Sequence, residues 1–324
     1  MSNFLDPAIL FFVLGVLAGV LKSNLEIPQP ISRFLSLYLL MALGLKGGFA
    51  LAHSGFSTEV IGAIAVALTL AVIIPLVGYQ YLKRVTDGLN AAAVAATYGS
   101  VSAVTFITAT RYLDEQGIGF GGHMAAAMAL MESPAIIIAI LFVNAQRQKI
   151  NPAQTGKHGQ HGLGMILKES LTDGAQVLLL GAMLVGLLSG DAGKAAMQPF
   201  SGNLFTGMLA FFLLDMGLAT ARNFPPLKEM PKGLLAYAVL APPLHATLAL
   251  GLSLLVGVPA ANAGLLMVLA ASASYIAVPA VMRFAVPEAN PSLYFGLSLG
   301  VTFPINILIG IPVYIGIAQR VIGL

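Results

Sequence analysis

Residues 95–100 read Ala95-Ala96-Thr97-Tyr98-Gly99-Ser100, and residues 270–275 read Ala270-Ala271-Ser272-Ala273-Ser274-Tyr275. Each lies inside an apolar stretch of roughly membrane-spanning length, and in each a cluster of small and hydroxyl residues interrupts the run. Ser102 extends the first cluster and Pro279 follows the second, so the helix is weakened at both places. Backbone groups freed at such a break are tolerated within a bilayer only inside the protein or beside an aqueous cavity. Two matching breaks in one chain predict a membrane fold in which the interrupted helices meet.

The whole chain suits a bilayer. Of 324 residues, 58% are hydrophobic and only 9% charged, with a mean hydropathy of +0.89. Soluble domains carry about 25% charged residues. One soluble core could not hide so much apolar surface, whereas lipid accepts it on every outward helix face. The absence of cysteine excludes disulfides and thiolate metal sites. A net charge of +3 gives no argument for nucleic acid. Residues 7–21 lack a basic leader and a small-residue cleavage site, and so read as a first span.

Ten spans are expected, at roughly 7–24, 30–51, 58–82, 88–111, 120–145, 171–189, 201–222, 232–257, 261–284 and 291–319. The polar stretch 146–169 reads as a linker between a first five-helix repeat, 1–145, and a second, 170–324. The halves match in order: Leu14-Gly15 and Gly19 with Leu180-Gly181 and Gly186, Gly44-Leu45 with Gly217-Leu218, the two quoted clusters, and Pro134 with Pro304. An odd number of spans per half makes the repeat inverted, with broken helices crossing near the midplane. The loops after the odd-numbered spans carry twelve of the 16 Lys and Arg residues. That bias places the central loop in the cytoplasm and both termini outside.

The clusters define the candidate substrate site: Tyr98, Gly99, Ser100 and Ser102 with Ser272, Ala273, Ser274 and Tyr275. Half-helix N-termini there would offer amide donors to a small anion, and exposed carbonyls would suit sodium. Close packing between helices is the alternative reading of the same small residues. Carboxylates within spans need a reason to be there. Glu132, in Met131-Glu132-Ser133-Pro134, is a sodium candidate, as are Thr302 and Asn306 flanking Pro304, and Asp215 in the seventh span. Lys46 reads as a snorkelling residue, and His245 as a hydrogen-bonded interior histidine. Gly117-Ile118-Gly119-Phe120-Gly121-Gly122 follows no strand and reads as a turn. No Walker loop, catalytic constellation or organic-cofactor motif is found, so an enzyme is not expected.

At these residues the sequence resembles the cyanobacterial type of sodium-dependent bicarbonate transporter. The resemblance rests on Ile27-Pro28, Gly44-Leu45-Lys46-Gly47-Gly48, Tyr98-Gly99-Ser100-Val101-Ser102, Met131-Glu132-Ser133-Pro134-Ala135 and Ala270-Ala271-Ser272-Ala273-Ser274. It continues through Ala289-Asn290-Pro291-Ser292 and Gly316-Ile317-Ala318-Gln319. It implies ten helices in two inverted repeats, a bicarbonate site between the broken fourth and ninth helices, sodium as coupling ion, a homotrimer and a cytoplasmic PII-like regulator. The chain departs where Tyr275 replaces an acidic residue, at Ala103 and Val104, which are more polar in that family, and in a shorter central loop.

The expected function is sodium-coupled import of bicarbonate or a similar small anion across a bacterial inner membrane. A cation/proton antiporter or organic-anion symporter, and a solute sensor or scaffold that moves nothing, remain open from the residues alone.

Overall fold

The computed structural model describes residues 7–323 apart from 55–56, 151–173, 224–229, 276–277, 280 and 283–285. Among these residues there are helices and no strands. In chain order they are α1 (Pro7–Val20), α2 (Gln29–Ser54), α3 (Thr58–Leu82), α4 (Gly88–Gly99), α5 (Ala103–Glu115), α6 (Met124–Ile150) and α7 (Gly174–Met197). A π-helical turn, Gln198–Asn203, leads into α8 (Phe205–Arg222), followed by α9 (Lys232–Val256), α10 (Ala260–Ala271) and α11 (Pro291–Ile322).

Seven of the described helical segments are long and apolar enough to cross a membrane, against the ten spans expected. The difference has two physical sources: α1 and α10 are apolar but shorter, and Val177–Arg222 runs as a single 46-residue segment. That segment bends at Gly190, whose φ of 53° and ψ of −141° fit a residue without Cβ. Large apolar side chains cover the outside, with Leu188 79% and Leu255 84% exposed. Surfaces of that kind belong against lipid, and the chain is a multi-pass membrane protein. α6 runs to Ile150, through the first residues of the stretch 146–169 expected as a linker; its remainder, 151–169, lies outside the described residues.

Two bundles follow from which helices touch. α1 lies along α8 and α2 along α7, while α3, α4, α5, α6, α9, α10 and α11 pack among themselves around α4 and α10. The first bundle is held by backbone contact. A Cβ on Gly15 would sit 3.1 Å from the Gly217 Cα, and one on Gly48 would sit 2.9 Å from the Gly186 Cα. Beside them, a Cβ on Gly19 would meet Ala221 and one on Gly44 would meet Ala182. Small residues let membrane helices approach this closely. The pairs exchange consistently between halves: Gly15 with Gly217 mirrors Ala182 with Gly44, and Gly19 with Ala221 mirrors Gly186 with Gly48. A Cβ on Gly181, the residue matched to Gly15 by sequence, would meet nothing within 4 Å.

The second bundle carries the breaks. α4 and α10 are both 12 residues long and buried along nearly their whole length. α4 starts on Asp87, whose carboxylate accepts from the Leu89 and Asn90 amides. It ends where Gly99 lies against the ring of Pro75 in α3, a Cβ there being 2.7 Å from the ring atoms. Each helix is closed by a serine in extended backbone, Ser100 (φ −90°, ψ −172°) and Ser272 (φ −83°, ψ 167°). These ends align Ser100-Val101-Ser102 with Ser272-Ala273-Ser274. The match by sequence sets Thr97 against Ser272, whereas the helix ends set Ser100 beside Ser272.

Candidate functional site at the crossing of two broken helices

The two breaks bind one another. Ser102 N donates to Ser272 Oγ at 2.9 Å, and Ser274 N donates to the Thr97 carbonyl at 2.8 Å. Ser272 Oγ in turn donates to Leu269 O at 2.7 Å. The arrangement is not symmetric. Ser272 Oγ accepts an amide, while its counterpart Ser100 Oγ, 1% exposed at the residue level, has no hydrogen-bond partner among the described residues. Ser274 N reaches past it to Thr97 O, so the Ser100 hydroxyl is left over.

Beyond the break, Ser102 caps α5, accepting from Thr105 N at 3.2 Å and from Thr105 Oγ1 at 2.9 Å. Phe106 N is satisfied by Ser102 O. The first amides of α5, on Ala103 and Val104, have no acceptor within the helix. Both residues line a cavity of about 60 Å³, several times the roughly 10–15 Å³ that one water needs. Val101, Ser102, Ser274 and Tyr275 complete its broken-helix wall, and Glu132 of α6 reaches it from the same bundle. Ser36, Leu39 and Leu40 of α2, Leu179 of α7 and Phe212 of α8 close it from the other bundle.

Of the expected substrate residues, Ser102, Ser274 and Tyr275 line this cavity. Ser272 ties the breaks together, Ala273 and Ser100 are buried beside them, and Gly99 serves the contact with Pro75. Tyr98 points away, its hydroxyl 2.6 Å from Thr302 Oγ1. Of the expected sodium ligands, Glu132 alone lines the cavity. Thr302 is occupied elsewhere, donating to Ala238 O at 2.9 Å and meeting Tyr98. Asn306 Nδ2 donates to Ala271 O, the last carbonyl of α10, at 2.7 Å, while its buried Oδ1 has no partner among the described residues. Asp215 belongs to α8 in the other bundle, with Ser32 hydrogen-bonded to it and Arg222 near. The π-helical turns at 298–302 and 306–310 flank Pro304; the proline lacks the N–H that a regular turn needs.

Sequence reasoning missed Ser36 and Phe212. Both lie in apolar runs, and neither belongs to the matched clusters, so repetition gave them no signal.

Among the described residues, the lining contains no Lys or Arg and one carboxylate. Amide donors at a helix N-terminus favour an anion, whereas Glu132 opposes one unless a cation accompanies it. A family model described as the Na+-dependent bicarbonate transporter superfamily matches residues 7–319. No curated protein matches the chain.

Proposed function

The chain belongs to the Na+-dependent bicarbonate transporter superfamily, and from that membership we propose that it is a sodium-coupled importer of bicarbonate or a similar small monoanion. The observation that supports this reading is the cavity at the crossing, lined both by Ala103 and Val104, whose amides have no acceptor within α5, and by Glu132. Bicarbonate accepts from the Ala103 and Val104 amides and the serine hydroxyls. Sodium neutralises Glu132, so the anion is held well only when the cation is present. That is coupling by electrostatics: an anion about 4 Å from a carboxylate meets a repulsion of roughly 4 kcal/mol in a medium of effective dielectric 20.

The ends of α4 and α10 supply the negative pole for the cation. The unpartnered Ser100 Oγ and Asn306 Oδ1 are hard oxygen donors at those ends. In this reading the ten spans form two inverted five-helix repeats, supported by the exchange of Gly15–Gly217 with Gly44–Ala182 and by the equal lengths of α4 and α10. The bundle of α1, α2, α7 and α8 moves against the other, opening the cavity to each side in turn. The Lys and Arg bias supports an orientation with both termini outside a bacterial inner membrane. A homotrimer and a PII-like regulator on the cytoplasmic face belong to the same proposal.

With one sodium per bicarbonate, no net charge moves, and each tenfold sodium gradient supplies about 1.4 kcal/mol. A cavity of about 60 Å³ favours a small monoanion over a large organic one, and among the described residues its wall offers one carboxylate and no lysine, which favours ion pairing over proton exchange. The test is uptake of labelled bicarbonate into proteoliposomes with and without an inward sodium gradient. Saturable uptake that follows the gradient is expected; uptake indifferent to sodium removes the coupling.

A further inference from the structure

A second cavity of about 430 Å³ lies beyond the first along the same two helices. α2 gives Leu39 and Leu40 to the inner cavity and Leu43 and Lys46 to this one, and α5 gives Val104 and Ile107 to the inner and Thr110 and Asp114 to the outer. Lys194, from the segment after the Gly190 bend, lines it too. Among the described residues, two ammonium groups thus share one concave space with a single carboxylate. A cleft of one prevailing sign between low-dielectric walls concentrates ions of the other sign.

Lys46 is only loosely engaged. Its Nζ is 3.5 Å from Asp114 Oδ2, with the two side chains 36% and 42% exposed, and it sits 4.2 Å above the Phe205 ring. A half-exposed pair at that distance is weak and readily exchanged. It also spans the two bundles, since α2 belongs to one and α5 to the other.

We propose that this vestibule is a second anion site, in which an incoming small monoanion displaces Asp114 from Lys46 and is held between Lys46 and Lys194 before it passes along α2 and α5 to the inner cavity. The chemistry of lysine fits such transient capture, because its compact, strongly hydrated charge attracts a small anion without the bidentate grip of arginine. Because the anion takes the place of Asp114, its arrival also releases the link between the bundles. The onward passage rests on the transport reading above; binding in the vestibule does not.

The test therefore has a binding arm that needs no flux. Detergent-solubilised protein is treated with an amine-acylating reagent in bicarbonate, in nitrate and in chloride at matched ionic strength and pH, and acylation of each lysine is read by peptide mass spectrometry. Nitrate is a planar monoanion that cannot form a carbamate with an amine. Bicarbonate and nitrate are each expected to slow acylation of Lys46 and Lys194 severalfold, saturably, and to leave the exposed Lys22 unchanged. Protection of neither lysine, or protection by bicarbonate alone, overturns the site. In the flux arm, Lys46→Gln with Lys194→Gln is expected to raise KM severalfold at low salt with kcat unchanged, and Asp114→Asn to lower KM. An unaltered KM in the double variant overturns the relay. Protection without any uptake by the unsubstituted protein would leave the anion site standing and remove transport.

Discussion

The amide of Ser102 donates to the hydroxyl of Ser272 at 2.9 Å, joining two chain breaks that lie 170 positions apart. Each break leaves orphan backbone groups that neither helix can satisfy alone. Their mutual pairing lets both persist in the interior of a membrane protein.

Ser272→Ala removes that acceptor and also the donor to Leu269 O. A buried amide is left unpaired, at a cost of about 1–3 kcal/mol. A lower melting temperature in detergent is expected, with recovery in Ser272→Thr, which keeps the hydroxyl. A melting curve for the alanine variant that overlays the unsubstituted protein would show that the link carries no stability.

Glu132→Gln keeps the shape of the cavity wall and removes its negative charge. Uptake in this variant should lose most of its sodium dependence, roughly tenfold or more in the ratio of rates with and without sodium, as a coupling of about 1.4 kcal/mol or more requires. Sodium titrations of bicarbonate uptake measure it. A variant as sodium-dependent as the parent would place the cation elsewhere.

Gly48→Ala would put a Cβ 2.1 Å from the Met183 carbonyl, so α2 and α7 must separate. Overpacking of this kind costs about 1–3 kcal/mol. Gly181→Ala, on the same partner helix but with nothing within 4 Å, should be neutral or stabilising by up to about 1 kcal/mol through helix propensity. Paired thermal melts compare them, and equal effects would count against the close seam.

Asp87 caps α4 outside the membrane-spanning segment. Burial raises its pKa, but hydrogen bonds from the Asn90 amide and side chain and the Leu89 amide outweigh that and hold it below the usual carboxylate value. The folded pKa is depressed, so the stabilisation is complete above the ordinary carboxylate range and is lost as pH falls through the lower, folded value. Asp87→Ala should cost about 0.5–2 kcal/mol at neutral pH, with the deficit shrinking in acid. Asp87→Asn, still able to cap, should lose less. Melting temperatures from neutral to acid pH provide the check.

Much of the site was legible from residue types. Glu132 stood out because a carboxylate in an apolar run needs a reason, and Ser102, Ser274 and Tyr275 because hydroxyls interrupted such a run. Thr302 stood out for its place beside Pro304, yet its hydroxyl is spent on Tyr98 and Ala238 O. Lys46 read as a snorkelling side chain, and only its sharing of a cavity with Lys194 gives it another role.

By itself, the sequence determined that this is a membrane protein of apolar helices with two interrupted ones, because composition and local breaks act through the solvent and the nearest turns of chain. Only the packed helices show how the two breaks bond to one another and which hydroxyls line the cavity. α4 and α10 are buried on every side, and a helix with no polar face carries no mark of direction. Only the neighbours that meet it, Pro75 at Gly99 and Ser102 at Ser272, settle which way its residues point.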